Sequence, residues 1–272
     1  MLRNKTIETY LQDFSCIIIT GASSGIGREL LSRIEYSDTT AAVFNLSRTA
    51  PEGISKALNF THLNCDLSQP SHIETVVAEL KKLMPREGRI LLINNSGFGA
   101  YGEFPAPGID HTLKMIDVNS RAPVHLTGLL WDKLKAQGGQ VANVASLAGY
   151  QPTPLMSTYA ATKAFLLNWS IALNAEGKAF GVTCTAICPG PVSTNFSKAA
   201  GFESSTGIGG QTVQECVEES LRAMSKQRPQ VITGWKNRLI GFLSARLPKP
   251  LAAKIGLRMI RKLKLERFIK KT

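Results

Sequence analysis

The stretch SCIIITGASSGIG, residues 15–27, decides the fold class. A short apolar run over residues 15–20 breaks at a glycine-rich turn, and apolar residues at helical spacing follow from Arg28 to Ile34. A strand, a glycine loop and a helix in this order are typical of the first unit of a parallel α/β sheet. The glycine spacing is GxxxGxG, which differs from the GxGxxG of the usual dinucleotide-binding fingerprint.

The same alternation continues along the chain. Strands are predicted at residues 41–46, 62–65, 90–94, 140–144 and 182–187, and helices at residues 73–83, 111–134 and 158–176. Strands that alternate with helices form a doubly wound parallel sheet, Rossmann-like, with helices on both faces. We therefore predict one α/β domain over residues 1–235 and a helical extension over residues 236–272. Ligands of such sheets bind beyond the carboxyl ends of the strands.

Composition and charge exclude several classes of protein. The chain has 272 residues, of which 43% are hydrophobic, and five cysteines without a CxxC pair, so neither a disulfide framework nor a zinc site is indicated. No apolar run approaches the roughly 20 residues that cross a bilayer. We expect a cytoplasmic protein that does not span the membrane.

The net charge of +12 is concentrated at one end. Residues 1–221 hold 17 Lys and Arg against 19 Asp and Glu, whereas residues 222–272 hold 15 against Glu266 alone. The body is therefore near neutral, and an anionic partner is expected at the C-terminal segment.

The glycine loop has the features of a phosphate site. Gly21, Gly25 and Gly27 let the backbone approach a pyrophosphate closely, and the following helix presents its positive end. Ser23, Ser24 and Ile26 lie in the same turn. The alternative is that the three glycines serve tight packing alone.

Two side chains after later strands indicate which nucleotide is bound. Arg48 follows the second strand, where a guanidinium pairs with a 2′-phosphate and an acidic residue would bind a 2′-hydroxyl. This favours NADP(H), with NAD(H) as the alternative, unless Arg48 is a solvated surface residue. Asp66 follows the third strand beside Leu67 and suits an adenine amino group. The alternative for Asp66 is a helix cap.

A catalytic constellation is spread over three segments. Tyr159 and Lys163 stand four residues apart on a predicted helix, so they share a face, and a cation beside a phenol favours phenolate. Ser146 ends a strand, and Asn119 lies within a helical stretch, where Asn is disfavoured. A YxxxK pair by itself also fits an ordinary helix surface, and the conjunction is the stronger signal.

With these residues in view, the chain resembles the short-chain dehydrogenase/reductase family over residues 15–235. The resemblance rests on the glycine loop, Asp66, Asn119, Ser146, the Tyr159–Lys163 pair, the segment Asn94-Asn95-Ser96-Gly97 and the segment Pro189-Gly190-Pro191-Val192-Ser193-Thr194. Ser96 stands where the family usually has Ala.

The family resemblance implies a role for each residue. Tyr159 would exchange a proton with the substrate oxygen, Ser146 would orient that oxygen, Lys163 would lower the phenol pKa and bind the nicotinamide ribose, and Asn119 would anchor a water chain. Pro189, Gly190, Val192 and Thr194 would cover the nicotinamide, and Asn95, Ser96 and Gly97 would line the cofactor groove. Family members commonly form dimers or tetramers through the helices that carry Asn119 and Tyr159.

Two further segments bear on the substrate and on partners. Residues 193–212 are rich in glycine and suit a lid, although a plain surface loop fits equally. Candidates for the substrate wall are Phe98, Tyr150, Met156 and Phe196. In the C-terminal segment, apolar residues at helical spacing lie among basic ones on both sides of Pro248-Lys249-Pro250: Leu239, Ile240, Leu243, Leu247, Leu251, Ile255, Met259 and Leu263.

That segment predicts two basic amphipathic helices. Such helices suit an anionic membrane surface, and the alternatives are packing on the body, a subunit interface or an acidic protein partner. Nucleic-acid binding is not expected. The leading functional hypothesis is an NADP-dependent oxidoreductase, EC 1.1.1.-, that acts on an apolar or lipid-like carbonyl. The alternatives are a dehydrogenase of a small polar alcohol and a non-catalytic NADP-binding scaffold.

Overall fold

The structure, a computed structural model, describes residues 6–193 and 210–262. A seven-stranded sheet lies at its centre, in the order β3-β2-β1-β4-β5-β6-β7 with every neighbouring pair parallel. The strands are β1 (Phe14–Thr20), β2 (Ala42–Ser47), β3 (Phe60–Asn64), β4 (Arg89–Asn94), β5 (Gly139–Val144), β6 (Val182–Cys188) and β7 (Gln230–Ile232). The predicted doubly wound α/β fold is confirmed.

Helices cover both faces of the sheet. They are α1 (Ile7–Leu11), α2 (Gly25–Tyr36), α3 (Pro70–Leu83), α4 (Ile109–Ile116), α5 (Ala122–Gln137), α6 (Ser157–Gly177), α7 (Val213–Ser225), α8 (Trp235–Ser244) and α9 (Lys249–Lys262). The two largest apolar clusters lie on opposite sides of the sheet, one under α3 and α5 and the other under α2 and α7. All five cysteines are buried in the interior.

The prediction of a single helix over residues 111–134 is wrong in one respect. It is divided into α4 and α5 by a π-helical turn at Asp117–Arg121, in which Asn119 lies. A π turn inserts a residue into the helix, so side chains on either side keep different phases. The periodicity of apolar residues did not reveal this insertion.

The order of the strands locates the site. β1 and β4 are neighbours, although the chain runs from β1 outward to β3 before it returns. The carboxyl ends of β1 and β4 therefore flank the crevice at which doubly wound sheets bind their ligands. Among the helices that the structure describes, none is both long and apolar enough to cross a membrane.

Candidate active site

The glycine loop after β1 forms a cradle that only glycine backbone fits. Gly21 and Gly25 have φ of +70° and +56°, in the left-handed region. A Cβ at Gly27 would stand 2.2 Å from the carbonyl oxygen of Gly21. Tight packing therefore explains why residue 27 is a glycine, in agreement with the alternative that the sequence left open. This packing brings the loop backbone against the start of α2.

The start of α2 is suited to an anion. α2 begins at Gly25, and its first turn carries no acidic side chain. Within the described chain, the N-cap Ser24 makes no side-chain capping hydrogen bond. The N–H groups of this turn and the positive end of the helix dipole thus face a loop without a carboxylate, which fits a pyrophosphate. Ser23 and Ile26 are half-buried in the same turn.

Two buried polar residues outside the predicted motifs, Asn45 and Thr20, hold this loop in place. The Ala22 N–H donates to Asn45 Oδ1 at 2.9 Å, across from β2. Thr20 Oγ1 accepts the N–H groups of Asn95 and Ser96 at 3.0 and 2.9 Å. A signal for Asn45 was present in the sequence, since it is the one amide in the apolar strand AVFNLS.

The structure brings the loop after β4 against the glycine loop. The Asn95 side-chain amide donates to the carbonyl oxygens of Thr20 and Gly21 at 2.9 and 3.1 Å. A Cβ at Gly21 would stand 2.5 Å from Ser96 Oγ. Asn95 and Ser96 therefore lie where the sequence predicts the cofactor groove.

Arg48 and Asp66 lie close together beyond the ends of β2 and β3. Arg48 is exposed. Burial raises the pKa of the Asp66 carboxyl, but hydrogen bonds from the Ser68 backbone and hydroxyl and the nearby Arg48 guanidinium outweigh it, so that the net pKa is below its usual value. The guanidinium is thus placed at the sheet edge where a 2′-phosphate is expected.

Asp66 also has the local role that was proposed as the alternative. Its Oδ1 accepts the N–H and the hydroxyl of Ser68 at 2.9 and 2.8 Å. It thereby caps the turn before α3, although the N-cap of α3 itself is Gln69. The side chain of Leu67 is buried in the core beneath α3, so the predicted contact of Leu67 with a nucleotide would be made by its backbone.

Ser146 and Tyr159 meet at the carboxyl end of β5. Tyr159 lies in the first turn of α6 and is buried, and the side chains of the two residues are hydrogen-bonded. Burial raises the pKa of the Tyr159 phenol to about 12, against a smaller lowering by Ser146. The phenol is therefore protonated at neutral pH.

Lys163 lies one helical turn further along α6 and is buried. Its Nζ donates to the carbonyl oxygen of Val144 at 2.8 Å and lies 5.8 Å from the centre of the Tyr159 ring. Burial lowers the pKa of Lys163 to about 8. Burial dominates the pKa of the Tyr159 phenol, and the lowering of that pKa by Lys163 that the family resemblance implies stays a prediction.

Asn119 joins the loop after β4 to α6. Its Oδ1 accepts the N–H of Phe98 at 3.1 Å, and its Nδ2 donates to the carbonyl oxygen of Phe98 and to Thr162 Oγ1 at 2.9 and 3.1 Å. A Cβ at Gly97 would stand 3.0 Å from Asn119 Oδ1 and 3.1 Å from Lys163 Nζ. A side chain at position 97 would therefore crowd both Asn119 and Lys163.

The segment after β6 closes the site from the other side. The buried Pro189 accepts the N–H of Leu147 at 2.8 Å, which ties it to the residue after Ser146. Val192 forms an isolated parallel bridge with Gln211. A Cβ at Gly190 would stand 2.4 Å from the side chain of Asn237, a neighbour that the motif search missed. Thr194, Phe196 and most of the proposed lid lie outside the described residues.

A small cleft of about 20 Å³ lies beside Tyr159. Its lining is mixed, with apolar side chains from Ala100, Phe104, Met115, Leu155 and Met156 and hydroxyl side chains from Thr112, Ser157 and Thr158. Of the predicted wall residues, Met156 lines the cleft, and Phe98 packs close to Tyr159. Tyr150 lies elsewhere, with its hydroxyl 3.2 Å from Gln230 at β7.

Comparison with known proteins agrees with this geometry. The family model described as short chain dehydrogenase matches residues 15–205. An uncharacterized oxidoreductase of Staphylococcus epidermidis is 26% identical over 220 residues, which cover 79% of this chain and 94% of the relative. The ketoacyl reductase HetN of Nostoc is 25% identical over 232 residues, covering 78% and 79%.

A solved structure gives the same result. The short-chain dehydrogenase from Sphingobium yanoikuyae in complex with NADPH has a TM-score of 0.70 and 26% identity, and the match covers 85% of this chain and 93% of that one. The family model spans well over half of the chain and includes the glycine loop, Ser146, Tyr159 and Lys163. The chain belongs to the short-chain dehydrogenase/reductase family and is an NAD(P)-dependent oxidoreductase that acts on CH–OH and C=O groups.

Proposed function

We propose that this protein is an NADP-dependent reductase of an apolar, lipid-like carbonyl compound, with Tyr159 as the proton donor. The observation that carries the proposal is the hydrogen-bonded pair of Ser146 and Tyr159, with apolar side chains packed around Tyr159. Bound in the cradle, NADPH supplies the hydride for the carbonyl carbon.

The chain's own residues supply the remaining chemistry. The Ser146 hydroxyl orients the substrate oxygen, and the Tyr159 hydroxyl gives that oxygen its proton. The proton is present on Tyr159 at neutral pH before the reaction, as proton donation requires. The Lys163 ammonium, held by the Val144 carbonyl, stabilises the phenolate that remains.

Asn119 acts in this scheme by position. It fixes the backbone at Phe98 and contacts Thr162 on α6, so it links the loop after β4 to the helix of Tyr159 and Lys163. We propose that the surrounding π turn is the starting point of the route by which Tyr159 regains its proton from solvent.

The preference for NADP over NAD rests on Arg48. Its exposed guanidinium lies at the carboxyl end of β2, near Asp66, where a planar cation matches a 2′-phosphate. The Sphingobium relative has NADPH bound, which supports this choice. We assign the adenine contact to Asp66 and the nicotinamide contacts to Pro189, Gly190, Val192 and Thr194 as part of the same proposal.

The substrate class is proposed from the apolar side chains around Tyr159. Phe98, Ala100, Met115 and Met156 pack with Tyr159 in one apolar cluster, which supports an alkyl or acyl chain beside the phenol over a small polar alcohol. The name of the HetN relative, a ketoacyl reductase, supports a carbonyl on an acyl chain. Reduction of a homologous series of ketones tests this, since kcat/KM rises with chain length in our proposal and is flat for a small-alcohol dehydrogenase.

Exposed apolar side chains and buried cysteines support two further parts of the proposal, which are the pairing with a second copy and the cellular compartment. Large apolar side chains on α4, α5 and α6 are exposed, which supports pairing of these helices with a second copy of the chain: Ile109, Leu113, Ile116, Val124, Phe165 and Ile171. Five buried cysteines that form no disulfide support a reducing, cytoplasmic compartment.

The test of the catalytic assignment is Tyr159→Phe. We expect turnover of a ketone with NADPH to fall by about 10²–10⁴-fold, because the proton donor is removed, while NADPH binding changes little. Tyr36→Phe is the matched control, since Tyr36 is 79% exposed at the far end of α2 and its hydroxyl is remote from the site. Turnover in Tyr159→Phe that equals that of the control contradicts the assignment.

A further inference from the structure

On an ordinary surface helix, large apolar side chains face the protein core. On α8, small side chains face the core and large apolar side chains face outward. The face against the body is made of Asn237, Gly241 and Ser244. Gly241 packs closely there, since a Cβ on it would stand 2.6 Å from Ile232 and 3.2 Å from Leu147. Small residues toward the core leave the large ones on the outside.

The outer face of α8 is apolar. Trp235 is 70% exposed, and Leu239 and Leu243, one and two turns further on, are 55% and 53% exposed. Phe242 and Ile240 are exposed on the same helix. Leu251 and Ile255 continue this exposure on the outer side of α9. We call these seven residues, together with Leu247 between the helices, the outer apolar face.

Cations border the outer apolar face. Lys236 Nζ lies 5.6 Å from the centre of the Trp235 ring, and the Arg246 guanidinium lies 3.4 Å from that of Phe242. Lys254 and Arg258 are exposed on α9. The sequence contains no Asp or Glu between Glu219 and Glu266. The segment therefore matches an anionic surface that also accepts aromatic and aliphatic side chains.

The alternatives left open by the sequence are weaker. Packing of this face on the body is excluded for the described residues, because the body-facing side of α8 is the opposite one. A two-fold interface through the face would bring two copies of a segment of charge +14 together. An acidic protein would satisfy the charges, but aromatic and leucine side chains among Lys and Arg are the composition of helices that lie in a bilayer interface.

We propose that α8 and α9 dock the protein on the surface of an anionic lipid bilayer through the outer apolar face. Trp235, Leu239 and Leu243 enter the acyl boundary, while Lys236, Lys254 and Arg258 contact lipid phosphates. The proposal goes beyond the catalytic assignment and does not depend on it.

Because α8 and α9 lie against segments next to the active site, docking would bring the active site close to the lipid surface. The inner side of α8 touches Leu147 and Gly190, and a Cβ at Gly256 of α9 would stand 3.4 Å from Pro154, in the segment that leads into α6. The catalytic residues therefore lie behind a layer about one helix thick, roughly 10 Å. A lipid-like substrate would reach the site from the membrane to which the protein is bound.

The test is sedimentation of the full-length protein with vesicles. Wild type is mixed with phosphatidylglycerol/phosphatidylcholine vesicles and with phosphatidylcholine vesicles, at low and at high salt. We expect binding to the anionic vesicles that weakens with salt. Leu239→Ser/Leu243→Ser lowers the partition coefficient on the order of 100-fold. Lys254→Gln/Arg258→Gln lowers it about 30-fold.

Matched controls carry the same changes on the body. Leu83→Ser and Lys81→Gln/Lys82→Gln alter exposed residues of α3 and leave binding unchanged. The proposal is overturned if wild type does not sediment with anionic vesicles, if phosphatidylcholine binds it equally, or if the control variants lose binding to the same extent. NADPH binding by every variant, measured without vesicles, separates a failure of docking from a failure of the catalytic assignment.

Discussion

Two successive helices, α7 and α8, have opposite arrangements of side chains. α7 places Val217, Leu221 and Met224 against the sheet and charged residues outside. α8 places Asn237, Gly241 and Ser244 inside and its tryptophan and leucines outside. Apolar residues at helical spacing look the same in the sequence whether that side of the helix faces the core or faces outward. Only the structure therefore distinguishes the two helices. The body of the protein buries its apolar surface within itself, and the C-terminal helices α8 and α9 leave theirs exposed.

The largest expected effect contrasts a leucine from each region. Leu91 of β4 is fully buried, so Leu91→Ala leaves a cavity and lowers the free energy of unfolding by about 2–5 kcal/mol. Leu239→Ala changes the same quantity by less than about 0.5 kcal/mol, because its side chain is already exposed. Urea denaturation of both variants checks this. Equal losses would show that the outer face of α8 packs in solution.

The next effect concerns glycines in two settings. Gly27→Ala places a methyl group against the Gly21 carbonyl, so we expect a loss of about 1–3 kcal/mol in stability and weaker NADPH binding. Gly128 lies in α5, and a Cβ there meets nothing within 4 Å. Gly128→Ala therefore raises stability by about 0.5–1 kcal/mol. Thermal unfolding and fluorescence titration are the measurements, and a neutral Gly27→Ala would contradict the cradle.

The predicted residues of the catalytic edge were recognisable for a physical reason. Glycines in a turn after a strand, a Tyr and a Lys one turn apart, and polar residues at strand ends are local patterns that the chemistry requires at fixed spacing. Asn45 and Thr20 act through contacts between distant segments, and Asn237 reaches Gly190 from α8. Contacts of this kind depend on the strand order, which a single sequence does not determine.

Other differences have local causes. The π turn around Asn119 shifts the helical phase, and its signal in the sequence is Pro123, which has no N–H to donate to the Asn119 carbonyl oxygen. The prediction missed β7, which is three residues long. It also missed α7, although the capping box of Thr212 and Glu215 is a helix-start signal in the sequence. The second C-terminal helix was predicted after Pro250, and it includes Lys249 and Pro250 in its first turn, where proline is tolerated.

A smaller effect is expected at Lys163, where a substitution should raise the free energy of unfolding and abolish turnover. Burial lowers the pKa of Lys163 from 10.5 to about 8, so the fold carries a penalty for its charge at pH 7. Lys163→Met removes this penalty and loses the hydrogen bond to Val144. We expect a net gain of about 1–2 kcal/mol in unfolding free energy with loss of turnover.

The difference in stability between wild type and Lys163→Met depends on pH. The unfolded chain binds more protons at this position between pH 8 and 10.5, so the wild type recovers stability over this range and the advantage of Lys163→Met shrinks. Urea denaturation at pH 7 and pH 9.5 measures the difference. A destabilised Lys163→Met at pH 7 would mean that the buried ammonium is a net stabiliser.

The most direct test of the central claim, an NADP site at the carboxyl edge of the sheet, is a titration of NADPH and NADH. Energy transfer from protein to nicotinamide is followed in wild type, Arg48→Ala and the charge control Lys56→Ala, which removes an exposed cation from the loop after the same strand. We predict that wild type and Lys56→Ala prefer NADPH, and that Arg48→Ala weakens NADPH binding about 10–100-fold with NADH binding unchanged. Equal binding of the two nucleotides by wild type, or a preference that survives in Arg48→Ala, would contradict it.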